Sequence, residues 1–239
     1  MITVKSAEEF CPSPEMRPLL LLALLSMRRS VALRVTLVRH GETEWNVQGR
    51  LQGASDSPLT DRGVAGATAC GERLSRRQFR VAYTSPLPRA RRTAELILAA
   101  LPAPPALGVD ARLSERSFGA WEGLTWPKVQ SEFADELARA DSDPTFAPSG
   151  GESRQETLDR AVAFMGALAD ERGSSDDHVL VVTHSATATC LIKHVLGLRQ
   201  EQRRSFEVYN NALNEFRFDA ERGTWRLCTL GDCAHLDGV

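Results

Sequence analysis

The sequence predicts an α/β protein with three α/β/α layers around a mainly parallel central sheet. Short β-branched runs alternate with longer helical stripes along most of the 239 residues. The run 178–183, His-Val-Leu-Val-Val-Thr, is almost continuously apolar, as a central strand covered on both faces requires. Three strand ends lead straight into the most reactive polar residues, at Arg39-His40, Ser85 to Arg89 and His184-Ser185. Ligands of open α/β sheets bind outside the carboxyl ends of the strands.

The elements follow in order. Residues 33–38 alternate and read as a strand, and a glycine-punctuated loop with Gly41, Gly49 and Gly53 follows. Thr60 is placed to cap a helix whose stripe is Val64, Ala67, Gly71 and Leu74. Residues 80–84 are a short strand. Pro86 and Pro88 then open a helix that ends near Leu101, before Pro102. Residues 102–150 are irregular, with a helical stretch near 126–140, and are expected to lie over the sheet edge. A long helix after Gly150-Gly151 shows Leu158, Val162, Met165 and Leu168 on one face. After the central strand, 186–197 is helical and stops at Gly197. Two strands, Leu213 to Phe218 and Thr224 to Leu230, are joined by a turn at Arg222-Gly223.

Composition bounds the function. The chain has 29 basic and 31 acidic residues for a net charge of −2, which argues against a nucleic-acid partner. The apolar run Leu19 to Leu25 is far short of the ~20 residues of a membrane span, so no membrane partner is expected. Residues 1–31 read as an extension of unknown role ahead of one catalytic domain over 32–239. Glu8, Glu9, Glu15, Pro14 and Pro18 weaken a targeting peptide there. A cytoplasmic location is expected, with organellar targeting by residues 1–31 left open. Five cysteines without a Cys-x-x-Cys pair fit free thiols in a reducing compartment. A homodimer through an edge strand or a helix is the assembly such an architecture allows.

Two histidines and two arginines arriving at one sheet edge make a concentrated cationic site. Guanidinium groups match phosphate oxygens in pairs, and a neutral imidazole is a nucleophile towards phosphorus. There is no Gly-x-x-x-x-Gly-Lys-Ser/Thr loop and no His-Glu-x-x-His pair, so neither a P-loop nucleotide site nor a metal is expected. A cysteine-phosphatase loop is not expected either. Ser85 is assigned as a helix cap rather than a nucleophile, and Arg91 and Arg92 as a solvated face.

The chain resembles the histidine phosphatase superfamily, in its phosphoglycerate mutase-like branch. The resemblance is carried by Leu37-Val38-Arg39-His40-Gly41-Glu42-Thr43, by Gly49-Arg50-Leu51-Gln52-Gly53 and by Ser57-Pro58-Leu59-Thr60. Further on, it is carried by Thr84-Ser85-Pro86-Leu87-Pro88-Arg89, by Leu113-Ser114-Glu115-Arg116, by Gly150-Gly151-Glu152-Ser153 and by Val181-Val182-Thr183-His184. The similarity spans about residues 33–236. The resemblance implies a phosphoglycerate mutase-like fold in which His40 takes the phosphoryl group. It implies that Arg39, Arg89 and His184 clamp the phosphate and that Asn46 contacts it or orients His40. Gln52, Gly53 and the Ser185 backbone N–H would line the same pocket. Glu115 would protonate the leaving oxygen and then take a proton from water, for which a buried setting is expected. No cofactor is needed, because the arginines supply the charge.

Ser185 stands where many members of that superfamily carry glycine, which would narrow the pocket. Phosphatase is favoured over mutase on three counts. Glu115 and Gly151 are only 36 positions apart, residues 124–150 hold one arginine, Arg139, and Thr125-Trp126 stand where mutases continue to a lysine. A small phosphorylated metabolite, a sugar phosphate or phosphoglycerate-like ester, is the implied substrate. Cofactor-dependent phosphoglycerate mutase is the alternative. A non-catalytic phosphoprotein-binding module is the third reading, although neither His40, the arginines nor Glu115 is lost.

Overall fold

The computed structural model describes residues 32–239, so the extension 1–31, with Leu19 to Leu25 and Cys11, lies outside the described residues. Strand β1 (Arg34–Arg39) is flanked on one side by β4 (His178–Thr183) and on the other by β5 (Leu213–Asp219). The six-stranded order is β3-β2-β4-β1-β5-β6, with β2 at Val81–Thr84, β3 at Leu107–Val109 and β6 at Thr224–Asp232. Strands β3, β2, β4 and β1 pair in parallel, whereas β5 runs antiparallel to both β1 and β6. All six residues of β4 are buried, as expected of a strand covered on both faces.

Side-chain alternation divides the core into two layers. Val35, Leu37, Val179 and Val181 point to one face, where they meet Phe164, Met165 and Leu168 of α6 (Arg154–Arg172) and Leu191 and Ile192 of α7 (Ser185–Val195). Val38, Leu180 and Val182 point to the other face. There Ala67, Cys70 and Leu74 of α2 (Asp61–Leu74) and Ala90, Ala94 and Ile97 of α3 (Pro88–Ala99) cover them. Thr60 caps α2 by accepting from Gly63 N, and a Ser153/Glu156 capping box starts α6.

Several expectations shift. The buried face of α6 is Thr157, Ala161, Phe164, Met165 and Leu168, with Leu158 and Val162 only half-buried. The glycine-rich stretch after β1 holds one helical turn, α1 (Glu44–Val47), opened by a Thr43/Asn46 capping box. Residues 102–150 are more ordered than expected, since Leu107–Val109 is itself the edge strand. Two helices follow, α4 (Trp126–Glu132) and α5 (Ala134–Ser142), whose Val129 and Ala140 join buried Trp121 in a third small cluster. Among the described residues, no helix is long and apolar enough to cross a membrane.

The parallel register carries the site. Arg39 pairs with Thr183, and His40 N–H donates to the Thr183 carbonyl at 2.9 Å, so the residues after β1 and β4 emerge side by side. Beneath them, buried His178 shares a 2.8 Å hydrogen bond between its Nε2 and Thr36 Oγ1, and its ring lies 4.5 Å from that of Phe79. Burial and the cations Arg34, Arg77 and Arg217 push its pKa down to about 3. The unfolded chain therefore binds this proton below pH ~6.5 while the fold resists it. The resulting stability is complete above pH ~6.5 and is lost as pH falls towards 3. His178→Gln is expected to flatten the fall in urea-unfolding free energy between pH 6 and pH 4 by about 1.4 kcal/mol per pH unit.

Candidate active site

A cavity of about 600 Å³ opens at the carboxyl ends of β1, β2 and β4, a volume suited to a small-molecule ligand. Of the residues assigned from sequence, Arg39, His40, Asn46, Gln52, Gly53, Arg89, Glu115 and Ser185 line it. His184 is not among the lining residues; it is fully buried, its ring 5.1 Å from that of His40. Among the charged residues lining the cavity, Arg39, Arg50, Arg89, Arg116, Arg154, Lys193, Arg203 and Arg204 outnumber Glu115, Asp141, Glu201 and Glu207. The chain is nearly neutral, so this positive field is local.

His40 is buried, and its Nδ1 lies 2.8 Å from the Gly41 carbonyl oxygen. That carbonyl can only accept, so Nδ1 carries the proton and Nε2 keeps its lone pair. Burial lowers the His40 pKa well below the ordinary imidazole range, and Arg39 and Arg89 lower it further; the bond to Gly41 opposes them. The ring is therefore neutral and nucleophilic at neutral pH. Its backbone is fixed as well. Gly41 N–H donates to Thr93 Oγ1 at 2.9 Å, and Asn210 Nδ2 donates to the His40 carbonyl at 2.7 Å. A Cβ on Gly41 would come within 2.7 Å of the Gly63 carbonyl oxygen, so the start of α2 packs directly on this loop.

Arg89 has a fully buried side chain held on the loop after α1. Nη1 donates to the Ser55 carbonyl at 2.8 Å and to Asp56 Oδ1 at 3.0 Å, and Nη2 donates to the Gly53 carbonyl at 2.8 Å. Arg39 Nη1 donates to the Val208 carbonyl at 2.8 Å. Burial is the main cause that brings its pKa down to about 10, which still leaves a cation at neutral pH. The Nε atoms of both arginines are buried without a partner among the described residues, as is His184 Nδ1. Such buried donors call for a ligand acceptor.

Ser85 is not the helix cap that was expected, since Leu87 occupies the cap of α3. Its Oγ accepts from Leu87 N at 3.2 Å and lies 2.8 Å from His184 Nε2. With the Ser85 hydroxyl donating to Nε2, His184 presents Nδ1–H as its free donor. Burial is the main cause that holds this ring neutral too, and the charges of Arg89 and Arg39 add to it.

Glu115 comes from the loop after a single 3-10 turn at Ala111–Leu113, and it is half-buried rather than enclosed. Its Oε1 accepts from Ala186 N at 3.1 Å, Thr187 N at 3.3 Å and Arg116 N at 3.0 Å. The first turn of α7 thus fixes the carboxyl group on the cavity wall. Asn46 Oδ1 accepts from Thr43 N and from Asn210 Nδ2, so Asn46 reaches His40 through Asn210.

Sequence reasoning missed Asp56 and Asn210. Asp56 sits one residue before a quoted motif, whereas Asn210 is 170 positions from His40 and leaves no local signal. Cys11 to Arg17 and Cys70 to Arg76 both have the Cys-x5-Arg spacing, and Cys11 lies outside the described residues. Cys70 lies inside α2, and burial pushes its thiol up to about 12, so it is a core residue and not a nucleophile.

Glu122 ties the anchoring loop to the wall. It accepts from Ala54 N, Ser55 N, Ser55 Oγ and Phe118 N at 2.6–3.0 Å. Burial opposes its ionisation, but these donors outweigh burial and lower its pKa. Gly53 has φ +57°, and a Cβ there would fall 2.1 Å from Glu122 Oε1. Gly53→Ala is expected to move the carbonyl that holds Arg89 and to lower kcat/KM for a phosphate ester about tenfold or more. Steady-state kinetics on the folded variant checks this.

Comparison with known proteins agrees with the geometry. A protein of Salmonella choleraesuis named as a probable phosphoglycerate mutase, GpmB, is 34% identical over 212 residues, covering 86% of this chain and 95% of that one. The solved structure of Bacillus stearothermophilus YhfR superposes with a TM-score of 0.77 at 30% identity, covering 85% and 99%. A mycobacterial glucosyl-3-phosphoglycerate phosphatase superposes with a TM-score of 0.71 at 28% identity, covering 83% and 98%. Residues 35–231 match the family model of branch 1 of the histidine phosphatase superfamily, and the chain belongs to that superfamily.

Proposed function

We propose that this enzyme hydrolyses phosphomonoesters, with His40 as phosphoryl acceptor and Glu115 as proton donor. The observation that carries it is the neutral His40 ring, its Nδ1 committed to the Gly41 carbonyl. In the first step Nε2 attacks phosphorus, the ester P–O bond breaks, and the departing oxygen takes a proton from Glu115. In the second step water attacks the phosphohistidine and gives its proton to the Glu115 carboxylate. The N–P bond then breaks and orthophosphate leaves. Arg39, Arg89 and His184 Nδ1–H offer donors to the equatorial oxygens, with the Ser185 N–H at the start of α7 beside them. Groups of this kind are worth about 3–4 kcal/mol each in related transition states. Gln52 and Gly53 complete the wall, and Asn46 steadies His40 through Asn210.

Hydrolysis is favoured over phosphoryl return, which needs water excluded. Arg50, Arg203 and Arg204 on the cavity wall are exposed to solvent. Arg139 lies over the Phe146 ring at 4.6 Å and does not line the cavity. The relatives' names include both a mutase and a phosphatase, so the outcome at water is the point to measure. The substrate is taken to be a small phosphorylated metabolite.

With 3-phosphoglycerate and a trace of 2,3-bisphosphoglycerate, orthophosphate is expected and 2-phosphoglycerate is not. Formation of 2-phosphoglycerate at a comparable rate would assign a mutase. His40→Ala should lower kcat by about a thousandfold or more. Glu115→Gln should slow alkyl phosphates by roughly 10²–10⁴ and p-nitrophenyl phosphate far less, because p-nitrophenolate leaves without a proton.

A further inference from the structure

The cavity wall is not cationic throughout. Leu51, Phe118 and Trp126 give part of it an apolar surface. Leu51 and Phe118 are half-buried and pack on the third small cluster around Trp121 and Val129, so they are supported from behind. The Phe118 ring is already engaged, since the Arg116 guanidinium lies over it at 5.4 Å. Trp126 is different. It lines the cavity, stands outside that cluster and is 44% exposed. The other large apolar side chains left exposed among the described residues, Val47, Val109, Leu196, Tyr209, Leu230 and Val239, do not line this cavity.

The indole is carried on a fixed backbone. Leu51 N–H donates to the Leu124 carbonyl at 2.9 Å, and Gly123 N–H donates to the Leu51 carbonyl at 2.8 Å, which ties the two loops into a short ladder. Arg50 extends it through a β-bridge to Thr125, and its Nη1 donates to the Gly123 carbonyl at 2.7 Å. Trp126 then begins α4, with Pro127 in the first turn, where a proline fixes φ for helix entry and sacrifices no hydrogen bond. Among the described residues neither an aromatic ring nor a cation stacks on the indole. A large aromatic face left in water on a cavity wall gains free energy when a ligand covers it, and a flat ring covers it best.

We propose that Trp126 is a specificity-determining residue, and that the preferred substrate is a phosphomonoester whose alcohol carries a flat, largely apolar ring. The proposal rests on the reading of His40 as phosphoryl acceptor and describes the other end of the same substrate. The ring covers the indole, with Leu51 and Phe118 as the remaining apolar wall, while Arg39 and Arg89 hold the phosphate. Such a contact is made alike in the ground state and the transition state, so it acts on KM more than on kcat.

Benzyl phosphate and ethyl phosphate test this, because both release a primary alkoxide of similar basicity and they differ in the ring. The benzyl ester should have the higher kcat/KM, by about tenfold or more, the gain expected from covering one aromatic face. Trp126→Ala should reduce that ratio about tenfold, chiefly through the KM of the benzyl ester, and Trp126→Phe should keep part of it. The ratio does not depend on the fraction of folded enzyme, so a destabilised variant still reports. Hydrolysis of both esters with a wild-type ratio near one, or a ratio that Trp126→Ala leaves unmoved, overturns the role of Trp126 and spares the phosphatase reading. If neither ester is hydrolysed, both fall.

Discussion

The short hydrogen bond between His40 Nδ1 and the Gly41 carbonyl is the constraint on which the chemistry depends. An imidazole beside two guanidinium groups could lose its nucleophilicity by taking a proton, or by placing its single proton on the wrong nitrogen. Burial and the charges of Arg39 and Arg89 prevent the first, since a third cation there is costly. The Gly41 carbonyl prevents the second, because it accepts but cannot donate. In the proposed reaction, the same arginines that would receive the phosphate keep the nucleophile neutral until it arrives.

That bond holds only if the backbone around it is rigid. Gly41 is pinned by Thr93 from α3 and pressed against Gly63 of α2, and Asn210 grips the His40 carbonyl from the segment before β5. Arg89 is rigid for a different reason: its guanidinium is shared among two carbonyls and Asp56 of one loop, and Glu122 gathers that loop's N–H groups. The cations are thus positioned mainly by neutral carbonyls. Such partners orient a guanidinium without cancelling its charge, and the local field stays positive in a chain of net charge −2.

Much of this was legible in the sequence where the signal is local. The apolar run of β4, the Thr60 cap and the alternation of strands and helices each dictate their own structure, and the parallel register then brings Arg39-His40 and His184-Ser185 together. Edge strand β3 was not legible. Three residues, Leu107-Gly108-Val109, are too few to show a period, and only pairing with β2 makes them a strand. Ser85 was misassigned because a serine before Pro86 reads as a cap, whereas its use as the partner of His184 depends on a residue 99 positions away. Asp56 and Asn210 share that limitation: each acts across the fold on a group its own neighbours do not reveal.

The central claim is that phosphorus passes through the His40 ring. The most direct measurement is rapid quenching of turnover with a ³²P-labelled ester, followed by peptide mapping. The account predicts a label on the peptide containing His40, lost in acid and retained in base, that forms and decays at rates consistent with turnover. Steady hydrolysis with no label on that peptide, or with a label on another residue, would contradict it.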